Sequence, residues 1–215
     1  MAKVFVESDP DACRELWRQV MPSTHISDLW DVRDCFHRHF RRPLHFVVAV
    51  DARGIAGLLP LAWIEERHCY GFFPGETWEG KTWLEQNRVV ARNRRTLNRM
   101  LAVAPGAYHL RYLLIEHPSG DIGHLVDEIG YRFHPPQYDF RLDNYYAEFS
   151  GKSIKRIKRE IELFEERGVS YRYDRVEDFE VMVGMNLGRF GTGSYFHDPR
   201  FLRGFRSLAH WLQQQ

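Results

Sequence analysis

The sequence predicts a mixed α/β fold of the α+β kind, with a mixed sheet. Three observations carry this. Two helical stretches come first, with apolar residues at three- and four-residue spacing. The period then changes at HFVVAV-DARG-IAGLLPLAWI, two apolar runs joined by a turn. Beyond it, strands and helices follow one another without strict βαβ alternation, so neither a pure meander nor a doubly wound sheet fits.

Residues 3–6 make a short opening strand. Asp9 and Pro10 read as N-cap and N1 of a helix to Val20, with Leu16, Trp17 and Val20 on one face. Met21-Pro22-Ser23 ends it. Ser27 or Asp28 caps a second helix through Phe40, in which Leu29, Val32, Phe36 and Phe40 recur at helical spacing. Arg42-Pro43 stops this helix, because a residue before proline avoids helical backbone.

Residues 45–50 and 55–64 form a hairpin closed by Asp51-Ala52-Arg53-Gly54, both strands largely buried. CYGFF at 69–73 is a third strand, broken by Pro74-Gly75. Residues 74–88 are a polar, aromatic loop. A helix is expected over 88–103, with Val89, Leu97 and Leu101 inward and Arg92, Arg94, Arg95 and Arg99 outward. Residues 108–115 (YHLRYLLI) are a strand, 121–129 a short helix ended by Gly130, and 138–142 (YDFRL) a further strand. After this come a charged helix over 150–167 closed by Gly168, a strand at 169–173, and helices at 176–190 and 198–212. The last third thus has one strand and three helices of its own.

Composition narrows the function classes. The 215 residues are enough for one domain and a fraction of another, and 44% hydrophobic content can offset the ordering entropy of a folded chain. Thirty Lys+Arg against 29 Asp+Glu give a formal net charge of +1, which argues against a dedicated nucleic-acid coat. Cys13, Cys35 and Cys69 are three, widely spaced and without a C-x-x-C, so neither a disulfide framework nor a zinc ribbon is expected. The N-terminal residues carry no apolar signal core. The least polar run, 54–64, is too short for a bilayer and contains Pro60. A cytoplasmic protein with no membrane span is the expectation.

The helix over 150–167 (SGKSIKRIKREIELFEER) is charged in an unusual order. Ile154, Ile157, Ile161 and Phe164 form an apolar stripe. Lys152, Lys155, Arg156, Lys158 and Arg159 fill its first half, and Glu160, Glu162, Glu165 and Glu166 its second. A helix dipole favours the reverse, each misplaced charge costing about 0.3–1 kcal/mol near a terminus. Helix stability therefore does not account for the order. An anion held at the N-terminal end by Lys152, Lys155, Arg156 and Arg159 would account for it; the alternative is a solvated helix face with intrahelical salt bridges, Arg156–Glu160 and Lys158–Glu162.

Other candidate groups lie in the loop GETWEGKTWLEQN at 75–87. Rings that stack and polar groups that hydrogen-bond are combined there, as in small-molecule sites. Glu76, Trp78, Lys81, Trp83, Gln86 and Asn87 are the candidate acceptor-binding residues, and Glu76 with Glu79 forms a possible acid/base pair. The alternative is a loop pinned to the core by its tryptophans. His37 and His39, two apart on a helix, face away from each other and with His45 do not make a metal site. Gly184 to Gly193 is glycine-rich but lacks the strand-to-helix setting of a phosphate loop. No spacing assigns a catalytic residue. Arg88, Arg92, Arg94, Arg95 and Arg99 form a second basic face, and with the 152–159 cluster they define an alternative, a non-catalytic module for anionic ligands or nucleic acid.

The order of these segments resembles the tandem GNAT-fold acyltransferases, the BioF-like acetyltransferase domain proteins and the FemAB-type aminoacyltransferases. HFVVAVDARGIAGLLPL resembles that group's hairpin with Gly and Pro-Leu. SGKSIKRIKREIELFEERGV resembles its Leu-Ser-x-Lys-x-Arg helix, and SYFHDPRF its approach to a later helix. The resemblance implies a GNAT-like domain over 1–143 and the N-terminal part of a second over 144–215. It implies an acyltransferase that takes acetyl-CoA or another acyl-CoA as donor, without a metal. The acceptor would be an amine or hydroxyl of a small molecule or cell-envelope precursor. In the FemAB branch the donor is an aminoacyl-tRNA. No [RQ]-x-x-G-x-[GA] turn for a CoA pyrophosphate occurs in the sequence, so donor-binding residues do not follow from the resemblance.

Overall fold

The computed structural model describes residues 3–104, 106–114, 133–173 and 175–215. They belong to two compact units: Met1–Ile122 with Val176–Gln215, and Gly123–Arg175. Packing thus divides the chain differently from the boundary expected at 143/144.

In the first unit the elements are β1 (Lys3–Glu7), α1 (Pro10–Val20), α2 (Trp30–Phe40), β2 (Leu44–Asp51), β3 (Gly54–Ile64), β4 (Cys69–Phe72), a small hairpin β5 (Thr77–Trp78) and β6 (Lys81–Thr82), β7 (Val90–Ala91), α3 (Arg94–Val103) and β8 (Tyr108–His109). The sheet runs β1-β2-β3-β4-β8, with β7 on β3. All pairs are antiparallel except β4 with β8, which is parallel. This is the mixed sheet of a mixed α/β fold.

The unbroken apolar runs of β2 and β3 follow from burial on both faces. Phe46, Val48, Leu58 and Ala62 meet Cys13 and Trp17 of α1 and Trp30 of α2. The alternate residues Val47, Ala49, Leu59 and Leu61 meet Met100 of α3. Pro60 is tolerated inside β3 because of where it falls. β4 pairs with residues 61–64 and β7 with 57–58, so the missing N–H sits between two partners.

Asp9 caps α1 by accepting from Ala12 N at 2.9 Å, with Pro10 next, as the sequence predicts. The second helix starts later than expected. A 3-10 turn takes Ile26–Asp28, and Leu29 precedes α2 without a side-chain cap. The helix expected over 88–103 is only α3. Asn93 caps it at Thr96 N, and residues 90–91 are drawn into the sheet instead.

Beyond these come α4 (Leu142–Tyr146), α5 (Gly151–Glu166), α6 (Glu177–Phe190) and α7 (Pro199–Leu212). α6 and α7 belong to the first unit. α7 lies on the outer side of α2, where Phe201 and Leu208 join Val32, Cys35, Phe36 and Phe40 in a second core. Asp198 caps α7, and Arg200 reaches Glu66 at 2.8 Å, tying the helix to the β3–β4 connection. α6 is held by a Phe179–Phe205 stack and an Arg206–Glu180 ion pair.

The second unit holds α4 and α5. Phe133, Tyr138, Tyr145 and Phe149 cluster there, and Tyr138 donates to Glu148 at 2.8 Å. Two expected strands are absent from it. Residues 138–142 are not extended: Pro135–Tyr138 is a 3-10 turn, and Asp139 and Phe140 take positive φ before α4 begins. Residues 169–173 pair with no strand among the described residues, and Tyr171 and Tyr173 stay exposed. An alternating pattern makes a strand only where an edge is available to pair with it. The expected helix at 121–129 lies outside the described residues.

Two tests follow from the α2–α7 contact and its clasp. A Cβ on Gly204 would lie 2.7 Å from the fully buried ring of Phe36 and 3.3 Å from Cys35 O, whereas one on Gly184 in α6 meets nothing within 4 Å. Gly204→Ala should therefore destabilise the fold by about 1–3 kcal/mol in denaturant titration. Gly184→Ala should stabilise it by about 0.5–1 kcal/mol. Equal effects would mean α7 is not docked this way. Burial alone would raise the Glu66 carboxyl, but hydrogen bonds from Arg42 and Arg200 outweigh it and hold it at about 2. A depressed carboxyl contributes stability above its unfolded pKa of about 4.3 and loses it as pH falls toward 2. Glu66→Gln should flatten the pH dependence of stability in that window, read as thermal midpoint against pH.

Candidate active site

The sheet comes apart between its two parallel strands. β4 and β8 pair only at Tyr70↔Tyr108 and Gly71↔His109. Past that point the chain after β4 turns away at Phe73-Pro74-Gly75. Asn87 takes up the pairing: its N–H donates to Tyr112 O, and Leu114 N–H donates to its carbonyl, both at 2.8 Å. Between these two anchors a narrow cleft opens. It has about 400 Å³ of empty space out to its mouth. Arg67, Thr77, Thr82, Asn87, His109 and Arg111 are its polar lining. Among the described residues no carboxylate lines it. Arg111 donates to Gly80 O at 3.3 Å, which fixes its guanidinium against the β5–β6 turn. Arg67 lies beside the same turn, and a Cβ on Gly80 would collide with it.

The cleft is held open by a buried polar frame. Arg33 of α2 is 1% exposed. It donates to Ser27 O at 2.7 Å, Phe73 O at 2.5 Å and Asn87 Oδ1 at 2.8 Å, and lies over the rings of Trp17 and Phe72. Burial presses its pKa down to about 10, against the pull of Glu76 and Asp28, so the group stays charged at neutral pH. Asn87 spends its amide on Leu84 O and Arg111 O. Glu76, also 1% exposed, accepts at one oxygen from the Thr82 hydroxyl, Trp83 N and Leu84 N. Burial raises its carboxyl; the bonds from Thr82 and Leu84 and the charge of Arg33 oppose that. Asp28 and Arg88 form a buried ion pair at 3.0 Å.

Of the six residues expected at an acceptor, only Asn87 lines the cleft. Glu76 points into the loop's own backbone and clasps it, so the Glu76–Glu79 acid/base pairing has no support. Trp78 is buried against Tyr195, and Lys81 lies over its ring at 5.2 Å. Trp83 packs on Phe36 and Phe205. Gln86 holds a positive φ at the turn into Asn87. The tryptophans pin the loop, the alternative the sequence left open. The expected basic face at 88–99 also breaks up: Arg88 is buried with Asp28, and Arg92 pairs with Asp51, leaving Arg94, Arg95 and Arg99 on α3. Lys152, Lys155, Arg156 and Arg159 are exposed on α5, where Ser150 caps Ser153 N and Arg156 approaches Glu160 at 3.8 Å. No group of three or more His, Cys, Asp or Glu suited to a metal occurs among the described residues. No helix there is long and apolar enough to cross a membrane.

Arg33 had a signal in the sequence. It falls on the stripe Leu29, Phe36, Phe40, and a charge on an apolar face must be paired when buried. Arg67, His109 and Arg111 had none, since they come from two separate strand ends.

Removing Arg33 would take the donor from two backbone carbonyls and from Asn87 Oδ1, and leave Glu76 with less compensation. Arg33→Met should cost about 3–5 kcal/mol in chemical denaturation. Glu76→Gln keeps the acceptor oxygen and removes a buried charge, so it should cost far less. A raised carboxyl weakens the fold as pH climbs from the unfolded pKa through the folded one, so Glu76→Gln should also lessen that loss. Equal damage from both variants would contradict the frame described. Compared with known proteins, the chain matches no family model, no curated protein and no solved structure.

Proposed function

We propose that this chain is a GNAT-type acyltransferase that takes its acyl group from acyl-CoA, held in the cleft between β4 and residues 109–111. The observation that carries the reading is the parting of the two parallel strands. It leaves strand edges beside a cleft with Arg67 and Arg111 at its wall and no carboxylate among the described lining residues. An extended, amide-bearing chain can lie along such edges, as in strand addition. Phosphates at its end suit the two guanidiniums, which bind planar or tetrahedral oxyanions through paired donors.

The chemistry is then mostly positioning. An acceptor amine attacks the thioester carbonyl, the C–N bond forms as the C–S bond breaks, and the thiolate leaves with CoA. The amine's proton goes to His109 or to water beside it, and a proton is returned to the thiolate. The acceptor is an amine or hydroxyl of a small molecule or cell-envelope precursor. An aminoacyl-tRNA donor would need a phosphate track longer than two arginines, and the ion pairs of Arg88 and Arg92 shorten the basic surface that would supply it.

Calorimetry with acetyl-CoA tests the reading. Saturable binding is expected, weakened about tenfold or more by Arg111→Ala and by Arg67→Ala, each losing charge-assisted bonds. Arg95→Ala, away from the cleft, should leave it unchanged. No binding by the folded chain, or binding indifferent to both cleft arginines, would overturn it.

A further inference from the structure

The order of charges along α5 has no explanation within α5 itself. Five bases fill residues 152–159 and four acids fill 160–166, all of them exposed. The dipole of a single helix opposes both halves. Among the described residues their ion pair is Arg156–Glu160, exposed and 3.8 Å apart, and such a pair contributes little. No residue of α5 is buried, and a 16-residue helix with nothing buried is marginal in water. Yet Ile154, Ile157, Ile161 and Phe164 recur at spacings of three, four and three, the seam of a two-stranded coiled coil. Ile161 and Phe164 of this seam are 42% and 50% exposed.

The seam reads the same from either end. Residues 154 and 164 are equally far from Arg159, and so are 157 and 161. If a second copy of α5 is turned end for end about the level of Arg159, Ile154 falls opposite Phe164 of the second copy, and Ile157 opposite Ile161. The same turn lays the basic half of one helix along the acidic half of the other. It also sets each basic half beside the C-terminal, negative end of the other helix dipole, and each acidic half beside the N-terminal, positive end. The charge order that is unfavourable within one helix is favourable between two antiparallel helices. A parallel pair would set base on base and acid on acid.

We infer that α5 is a homodimer interface, in which two copies pair antiparallel through Ile154, Ile157, Ile161 and Phe164 about a two-fold axis at the level of Arg159. The occupant is a second copy because the charge pattern is complementary to itself. A polyanion would draw the basic half and repel the acidic one. The pairing uses the same patch on both chains, so it closes at two. Sixteen residues are about 24 Å of helix, a small seam, and the dimer is a weak one that forms and dissociates with concentration. It uses no residue of the acyl-CoA cleft.

Sedimentation equilibrium over about 1–500 µM tests it. The average mass should rise from one chain toward two. Raising salt from about 0.05 to 0.5 M should weaken association about threefold or more, because attraction between the halves is screened; a parallel pair would be strengthened. Ile161→Asp, at an exposed side chain, should abolish association. Lys152→Glu, Lys155→Glu and Arg156→Glu together put acids where the helix dipole favours them, so α5 stays helical, and should abolish it as well. Mixed with a second variant carrying Glu162→Lys, Glu165→Lys and Glu166→Lys, that protein should associate, although neither does so alone. Acetyl-CoA affinity should stay unchanged in Ile161→Asp, so failure here and failure of the acyl-CoA reading are read separately. A chain that stays monomeric throughout, association indifferent to Ile161→Asp, growth beyond two chains, or association strengthened by salt would overturn the interface.

Discussion

Arg33 brings three distant pieces of chain to one buried point. Its donors end on Ser27 before α2, on Phe73 after β4, and on Asn87 at the far end of the inserted loop. A charge this deep survives because each of its three nitrogens has an acceptor and Trp17 and Phe72 present their faces to the cation. The consequence is geometric. Phe73 is pulled toward α2, so the chain leaves the sheet there, and Asn87 is fixed where it can pair with residues 112–114 in place of β4. The cleft is the space between the strand that leaves and the residue that replaces it.

Glu76 does for the loop what Arg33 does for its ends. One carboxylate oxygen gathers a hydroxyl and two backbone N–H groups that would otherwise be unpaired inside a tight turn. The two groups are opposite charges, each fully committed to local partners. The loop is therefore a rigid wall, and Thr77, Thr82 and Asn87 reach the cleft from a fixed backbone. The tryptophans complete the wall from outside by packing on Phe36, Phe205 and Tyr195.

Much of this was legible in the sequence where the cause was local. Asp9-Pro10, Ser150 and Asp198-Pro199 mark helix starts because a cap is a matter of neighbouring residues. The hairpin of β2 and β3 is readable because both faces are buried and the run is continuous. What failed was decided by partners. Residues 169–173 alternate like a strand and find no edge among the described residues, while residues 90–91 look helical and are claimed by β3. In the loop 75–87 the mix of carboxylates, amides and tryptophans suits a ligand site as well as a pinned loop, and Glu76 faces inward onto the loop's own donors. A carboxylate among tryptophans is ambiguous until its donors are seen.

The same logic bears on charge. A net charge of +1 hides arginines in two conditions. Arg33, Arg88 and Arg42 are buried and matched to carboxylates or carbonyls, where they shape the backbone. Arg67 and Arg111 stand at the rim of the cleft, which holds no carboxylate among the described lining residues. A buried arginine fixes geometry because leaving it unpaired is costly. The matched set fixes the backbone around the cleft. A substitution in the first set should therefore be felt as lost stability.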